Sequence, residues 1–283
     1  MRRWQVVAAV AAVAALGVGV LVLGGGDEQA GFDDALAGGP AEDPIVTGPE
    51  RPDCPMAGHL AADFGGRRRP GVPVPDRWSF LEQRTDDRCQ PVRFNPCEPV
   101  YYVTNATLAP PGALDDLEAA FAQLAQATGM TFVNEGPTDE APLSGRPAYQ
   151  PRYGPRWAPV LIAWDRGRPH RLNPDNPGGG RSTNVDNVYV SGVLILNVDA
   201  VDADGRRLAN GFGEGASWGR VMIHELGHLL GLGHVGSPQE VMYDDLGVQR
   251  GRAEFHSGDL AGLRALGREA GCLTTPPSPT PAP

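Results

Sequence analysis

The chain has 283 residues, a formal net charge of −10 at pH 7 and four cysteines. Because the phosphates of nucleic acids repel an acidic protein, this charge excludes nucleic acid as a partner. The 24 basic residues are all Arg, and Gly and Pro are abundant, which is typical of proteins encoded by high-GC bacterial genomes. We therefore expect a bacterial source of that kind.

The N-terminus has the layout of an export signal. Arg2 and Arg3 precede an uncharged apolar run over residues 6–23, and a glycine cluster follows the run. This layout predicts a signal peptide or signal anchor over residues 1–26. The run is long enough for a tilted membrane span and no small-x-small cleavage motif follows it directly, so membrane attachment through residues 6–23 stays open beside cleavage. In both cases we expect the rest of the chain outside the cytoplasm, either secreted or anchored.

Two segments of biased composition flank one expected domain. Residues 27–88 are rich in Gly, Pro, Asp and Arg with little apolar periodicity, which predicts a linker or pro-segment. Residues 274–283 contain only Thr, Ser, Pro and Ala, which predicts a disordered, solvated tail. Residues 89–273 have an ordinary size for a single domain.

Two strands with a helix between them open this domain. β-branched and aromatic residues predict strands at Val100–Thr104 and Thr131–Val133. Apolar residues at helical spacing predict the helix, and Gly129 ends it. These residues are Leu114, Leu117, Phe121 and Leu124.

A long loop separates the next two predicted strands. Val160–Trp164 is the first of these strands and Val188–Leu196 the second, with Gly192 indicating a bulge or a close backbone approach. The segment Arg166–Thr183 contains several Pro, Asn and Gly residues and predicts an irregular loop.

A cluster of metal-ligand residues lies in a predicted helix over Trp218–Leu230. His224 and His228 are four residues apart, so they project from one helical face and can bind one ion. Gly231 tolerates the left-handed conformation that turns the chain, which brings His234 to the same ion. This pattern predicts one catalytic Zn²⁺ bound by three histidines.

Glu225 follows the first histidine directly and is the predicted general base. Its position places the carboxylate beside the metal rather than on it, where it can take a proton from a zinc-activated water. The predicted reaction is therefore hydrolysis.

Met242 and Tyr243 follow His234 at the distance of a Met-turn. Together with the histidine motif they resemble the metzincin clan of zinc metalloendopeptidases. The Leu-rich core of the active-site helix is most similar to matrixins and their bacterial relatives. The residue after the third histidine is Val235, where matrixins usually carry a small hydroxyl residue.

The resemblance implies an α+β fold with a twisted mixed sheet, a long first helix, the active-site helix and a C-terminal helix. We expect the last helix over Asp259–Arg268, with Ser257 as its N-cap. The resemblance also implies that Met242 forms a hydrophobic floor under the zinc. It further implies that the strand Val188–Leu196 rims the cleft, where an extended polypeptide substrate adds to its edge.

Matrixins carry structural zinc and calcium in the region that corresponds to the loop 166–183. His170, Asp165 and Asp175 are the candidates for such sites here. One histidine and two scattered aspartates lack the spacing of metal ligands, so a structural Ca²⁺ or a second Zn²⁺ is not supported.

Four cysteines in an exported chain predict two disulfides, for which three pairings are open. Cys97 and Cys272 lie at the two ends of the expected domain, and domain ends often lie close together. This favours the pair Cys97–Cys272 and leaves Cys54 with Cys89. A matrixin-type latency switch at Cys54 is disfavoured, because the neighbouring residues do not match the switch motif.

The expected function is a zinc-dependent endopeptidase that hydrolyses peptide bonds of extracytoplasmic proteins. The alternative is an envelope-attached binding or assembly protein whose zinc site is vestigial or structural. Glu225 separates the two, because a protein that binds zinc without cutting peptides usually lacks this carboxylate.

Overall fold

The computed structural model describes residues 77–279, apart from 144, 171, 173, 175, 247, 248 and 250. The predicted signal segment 1–26 and most of the predicted linker lie outside the described residues. Within the described part of the chain, no helix has the length and apolar character that a membrane span requires.

A five-stranded mixed sheet forms the centre of the domain. Its strand order is β3-β2-β4-β6-β5, and every neighbouring pair is parallel except β5 with β6. The strands have these bounds: β2 Val100–Asn105, β3 Phe132–Pro137, β4 Val160–Asp165, β5 Gly178–Val185 and β6 Val188–Asn197. A second sheet pairs β1, Ser79–Phe80, with β7, Leu232–Gly233.

Within the described residues, three α-helices complete the predicted α+β architecture: α1 Ala113–Thr128, α2 Trp218–Leu230 and α3 Ser257–Leu266. Helix α1 ends at Gly129, as predicted, where φ is 68° and the N–H donates to the carbonyl of Ala125. The bounds of α2 are those expected from the sequence. Helix α3 starts two residues earlier than expected, so Ser257 is its first residue and His256, in extended conformation, is the N-cap.

Side chains alternate between the two faces of the sheet, as the strand period of two requires. On β4, Ile162 and Trp164 join the large apolar core beneath the helices, whereas Leu161 and Ala163 join a small cluster on the opposite face. We call these the helix face and the outer face. On the helix face, Tyr102 of β2 stacks on Phe121 of α1 with ring centroids 4.2 Å apart.

The prediction of a loop over Arg166–Thr183 is wrong for its last six residues, which belong to β5. Three successive glycines have low strand propensity, so local sequence argues against a strand here. The approach of α2 explains the glycines, because a Cβ on Gly180 would lie 2.7 Å from the carbonyl oxygen of Glu225. Gly192 also shows the predicted close approach, since its Cβ would lie 2.8 Å from the carbonyl oxygen of Arg181.

The ordered fold begins before the predicted boundary at residue 89. Phe80 is 3% exposed and joins the core on the helix face, and its strand β1 pairs with β7 beside the end of α2. This segment is too short to show a periodic pattern of apolar residues, and its composition resembles that of the linker before it. Nothing in the sequence therefore separates it from the linker.

The tail is the second place where composition misleads. Trp157 donates from Nε1 to the carbonyl of Pro276 at 2.7 Å, and Ser278 donates to the carbonyl of Pro155 at 3.2 Å. The prediction of a solvated tail is therefore wrong for Pro276 and Ser278, whereas residues 280–283 lie outside the described part.

Cys97 and Cys272 form the predicted disulfide, with their Cα atoms 5.4 Å apart. Cys89 is also disulfide-bonded. Its predicted partner Cys54 lies outside the described residues.

Candidate metal centre

Helix α2 carries two of the three predicted histidines, and local signals fix both of its ends. Ser217 precedes the helix in extended conformation, and its hydroxyl accepts a hydrogen bond from the backbone N–H of Arg220. Gly231 ends the helix with φ at 116°, a conformation that favours glycine. The chain then reverses through β7 and brings His234 back to the helix.

The structure brings the three predicted histidines together. Nε2 of His234 lies 3.1 Å from Nε2 of His224 and 3.0 Å from Nε2 of His228. Among the described residues, these three form the one group of three or more His, Cys, Asp and Glu side chains that can hold a metal ion. Three ring nitrogens therefore converge on one point.

The other ring nitrogens of His224 and His228 are held by backbone carbonyls. Nδ1 of His224 lies 2.7 Å from the carbonyl oxygen of Val241, and Nδ1 of His228 lies 2.8 Å from that of Leu232. A carbonyl oxygen only accepts, so each Nδ1 carries the proton and each Nε2 keeps its lone pair for a metal.

The donor set fits zinc. Nitrogen ligands at the usual zinc distance lie about 3.3 Å apart in a tetrahedron, close to the separations found here. Burial lowers the pKa of His224 to about 4, and burial together with the nearby His224 lowers the pKa of His228 to about 3. Both imidazoles are therefore neutral near pH 7, which is the form that binds a metal.

Glu225 lies against the edge strand β5. Its side chain is buried, and a Cβ on Gly178 would lie 3.0 Å from the Cγ of Glu225. Burial raises the pKa of Glu225 to about 8, and a hydrogen bond from the backbone of Gly180 offsets part of this rise. The missing side chains of β5 thus leave room for the buried carboxylate of Glu225.

Met242 packs beneath α2. A Cβ on Gly227 would lie 2.5 Å from the sulfur of Met242, so this glycine lets the methionine approach the helix. The turn is held by the backbone, since Val235 N–H donates to the carbonyl of Met242 at 3.0 Å. Met242 is 1% exposed and has the buried position that a floor under the metal requires.

Comparison with known families agrees with this geometry. The matrixin family model matches residues 172–267, a third of the chain, which include the three histidines, Glu225 and Met242. The chain contains a metzincin-type metallopeptidase domain. A search of curated proteins gives no significant match.

The prediction that Val188–Leu196 rims the metzincin cleft is wrong. β6 pairs with β5 along one edge and, over Val193–Asn197, with β4 along the other. The strand at this edge of the sheet is β5, which pairs only with β6 among the described strands, and β3 lies at the opposite edge. The sequence misassigned this role because it predicted no strand at β5.

Two buried carboxylates that support the Met-turn of the metzincin domain were missed. Asp259 accepts hydrogen bonds from the N–H groups of Val241 at 2.7 Å and Met242 at 3.2 Å. Glu240 accepts from the N–H groups of Gly258 and Asp259 at 2.9 Å, at the start of α3. Burial raises the pKa of Asp259 to about 7. An acidic residue in the first turn of the predicted last helix was the available signal, and it suggested helix capping alone.

Two of the three candidates for a structural metal, His170 and Asp165, lie within the described residues and contact each other. Nε2 of His170 lies 2.9 Å from Oδ2 of Asp165, so these two residues form a pair. Asp175, the third candidate, lies outside the described residues.

Proposed function

We propose that this protein is a zinc-dependent endopeptidase that cuts extracytoplasmic polypeptides, with Glu225 as general base. The observation that carries the proposal is the convergence of three imidazole nitrogens on one point, with the buried carboxylate of Glu225 on the helix that supplies two of them. The metzincin-type domain supports the reaction class.

His224, His228 and His234 would hold the zinc through their Nε2 atoms. Zinc at this place supplies Lewis acidity, which lowers the pKa of water and polarises a carbonyl group. The carbonyl groups of Val241 and Leu232 keep two of the rings in the ligand tautomer. These two histidines, His224 and His228, therefore need no proton loss or ring rotation to bind the metal.

Glu225 is suited to accept a proton from water and to pass it to the leaving amine. General acid–base catalysis works best when the pKa of the group is near the working pH. Burial raises the pKa of Glu225 to about 8, and a dication nearby lowers the pKa of a carboxylic acid. The two effects act in opposite directions on the pKa of Glu225.

The edge strand β5 is the proposed binding site for the substrate backbone. An extended peptide can add to an exposed sheet edge by backbone hydrogen bonds, and side chains need no match for this. The glycines of β5 pack against Glu225, so a peptide on this edge passes the catalytic carboxylate. This supports a polypeptide as the substrate.

The place of action remains the one that the sequence predicts. The apolar run over residues 6–23 after two arginines supports export, and the disulfide Cys97–Cys272 is suited to an oxidising compartment.

The test is peptide-library digestion by the full chain, before and after limited proteolysis of its N-terminal segment. We expect chelator-sensitive cleavage by the wild type and a fall of roughly 100-fold or more for Glu225→Gln with zinc content unchanged. The double variant His224→Ala/His228→Ala should lose about one zinc per chain. Normal turnover by Glu225→Gln would remove Glu225 from the role of base. A zinc-loaded wild type that cuts no peptide would favour the alternative of a binding or assembly protein.

A further inference from the structure

A buried arginine lies one helical turn before the first metal ligand. Arg220 is 2% exposed, and it shares a face of α2 with His224 because the two residues are four apart. The side chain is not used in the proposed reaction. Burying a cation is costly, so its contacts need an explanation.

The three groups that Arg220 contacts by hydrogen bonds are all neutral. Nε donates to the carbonyl of Gly215 at 2.9 Å, and the two terminal nitrogens donate to Oε1 of Gln249 at 2.9 Å and to the carbonyl of Gly251 at 2.7 Å. Burial lowers the pKa of Arg220 from its usual value. A side chain placed only to stabilise the fold would gain more from a carboxylate partner.

Arg220 determines which way the amide of Gln249 points. A guanidinium group only donates, so the amide oxygen of Gln249 must face it and the NH₂ group must face away. The NH₂ group then donates to the carbonyl oxygen of Glu240 and, at 3.3 Å, to that of Val241. The arginine thus fixes two hydrogen bonds in which it takes no direct part.

One of these carbonyls also orients a metal ligand. The oxygen of Val241 accepts from Nδ1 of His224 at 2.7 Å. The opposite side of the same turn is held by the carboxylate of Asp259, which accepts from the N–H of Val241. The Val241 peptide is therefore fixed on its N–H side by a carboxylate and on its carbonyl side by the Arg220–Gln249 pair.

We propose that Arg220 is a positioning residue for His224, acting through the amide of Gln249 and the carbonyl of Val241. The pair holds the carbonyl where it keeps His224 in the tautomer that presents Nε2 to the metal. This inference rests on the proposed zinc site. Loss of such an indirect partner typically weakens metal binding by 10- to 100-fold.

The deciding variant is Gln249→Glu in the full chain. A carboxylate at position 249 forms an ion pair with Arg220 but has no N–H to donate to Glu240 and Val241. A purely structural role for Arg220 predicts unchanged zinc affinity of the folded protein, whatever the loss of these two hydrogen bonds does to the free energy of unfolding. The positioning role predicts a zinc Kd of the folded protein raised by about 10-fold or more. Gln126→Glu, the same change at an exposed position of α1, is the matched control and should leave the Kd unchanged.

Three measurements keep the outcomes separate: denaturant unfolding, zinc Kd by competition with a chromophoric chelator, and the ring ¹⁵N signals of His224 in zinc-free protein. We expect His224 to shift toward a mixture of tautomers in Gln249→Glu. Wild-type Kd and wild-type ring signals in this variant would overturn the inference and leave the zinc site intact. A wild type that binds no zinc would instead contradict the proposed function, and the ring signals would still decide the role of Arg220.

Arg220→Lys provides the second variant if Gln249→Glu does not fold. Lysine keeps the charge but lacks the planar fork that reaches three acceptors. We expect a Kd raised by roughly 3- to 10-fold with the same tautomer shift. Wild-type affinity and ring signals in Arg220→Lys would likewise overturn the inference.

Discussion

Two buried glutamates, one on each face of the sheet, have pKa values shifted in opposite directions. On the outer face, Glu140 binds Arg146 through both carboxylate oxygens, at 2.8 and 3.0 Å, and hydrogen bonds from Arg146, Tyr153 and Gln150 outweigh burial and lower its pKa. On the helix face, burial raises the pKa of Glu225 to about 8. A buried carboxylate that is paired with a cation stabilises the fold. A buried carboxylate without a paired cation has a raised pKa and is suited to chemistry beside a metal.

Two buried arginines, Arg146 and Arg220, differ in the same way, because only one of them has a charged partner. Arg146 uses its guanidinium fully, donating to Glu140, to the hydroxyl of Ser191 and to the carbonyls of Gly192 and Pro159. These contacts hold the segment between β3 and β4 against the small apolar cluster on the outer face. The hydrogen bonds of Arg220, in contrast, all go to neutral acceptors.

The largest expected effect is on the pH dependence of the zinc-free protein. A pKa of Glu225 raised from 4.5 to about 8 stabilises the fold below pH 4.5, and this stabilisation is lost as the pH rises through about 8. Glu225→Gln removes the loss, so its free energy of unfolding relative to wild type should rise by up to about 5 kcal/mol between pH 4.5 and 8.5. Urea unfolding with chelator present measures it. Parallel pH curves for the two proteins would contradict the uncompensated charge.

Removing the charge of Glu140 should cost somewhat less. Glu140→Gln leaves Arg146 buried without its counter-charge, and we expect a loss of about 3 kcal/mol in the free energy of unfolding. The double variant Glu140→Gln/Arg146→Met should recover part of this loss, because it leaves no uncompensated charge. Denaturant unfolding measures both. A double variant less stable than the single variant would show that Arg146 acts through its other contacts.

Acidification should loosen the outer face. Because the folded-state pKa of Glu140 is lowered, its contribution is present above pH 4.5 and is lost as the pH falls through the folded value. Hydrogen exchange in residues 146–160 of zinc-free protein should therefore accelerate below pH 4.5, after correction for the intrinsic rate. Glu140→Gln should lack this additional acceleration. Equal acceleration in both proteins would assign the effect to another group.

The smallest effect is expected at an exposed ion pair on β3. Arg156 and Glu135 are in bidentate contact, at 2.7 and 2.6 Å, but both side chains are partly exposed. Solvent screens such pairs, so Glu135→Gln should change the free energy of unfolding by less than about 0.5 kcal/mol. A loss comparable to that of Glu140→Gln would mean that the difference in burial does not determine how much each ion pair stabilises the fold.

The sequence predicted those parts of the site whose spacing is set by one helix and one turn. His224, His228 and Gly231 follow from helical geometry, and His234 follows from the turn that glycine permits. The strands β2, β4 and β6 were also predictable, because their β-branched and aromatic residues match their burial.

The parts that sequence reasoning missed depend on contacts between distant segments. The glycines of β5 form a strand because α2 needs their lack of side chains, and this reason is visible only when the two elements meet. Arg220 and Gln249 are ordinary polar residues in the sequence, and their roles arise from burial against the Met-turn. The Glu140–Arg146 pair likewise has no signature beyond two charges six residues apart.

The disulfide between Cys97 and Cys272 closes a loop with a sequence separation of 175 residues, which contains the whole metal site and every strand of the large sheet. A single cut at any exposed position inside this loop, by the protein's own copies or by another peptidase, leaves both pieces covalently joined. The nicked molecule gains only the mass of one water, and its two pieces separate only when the bond is reduced. Cuts inside this loop therefore accumulate as nicks that stay hidden under non-reducing conditions, rather than as lost fragments.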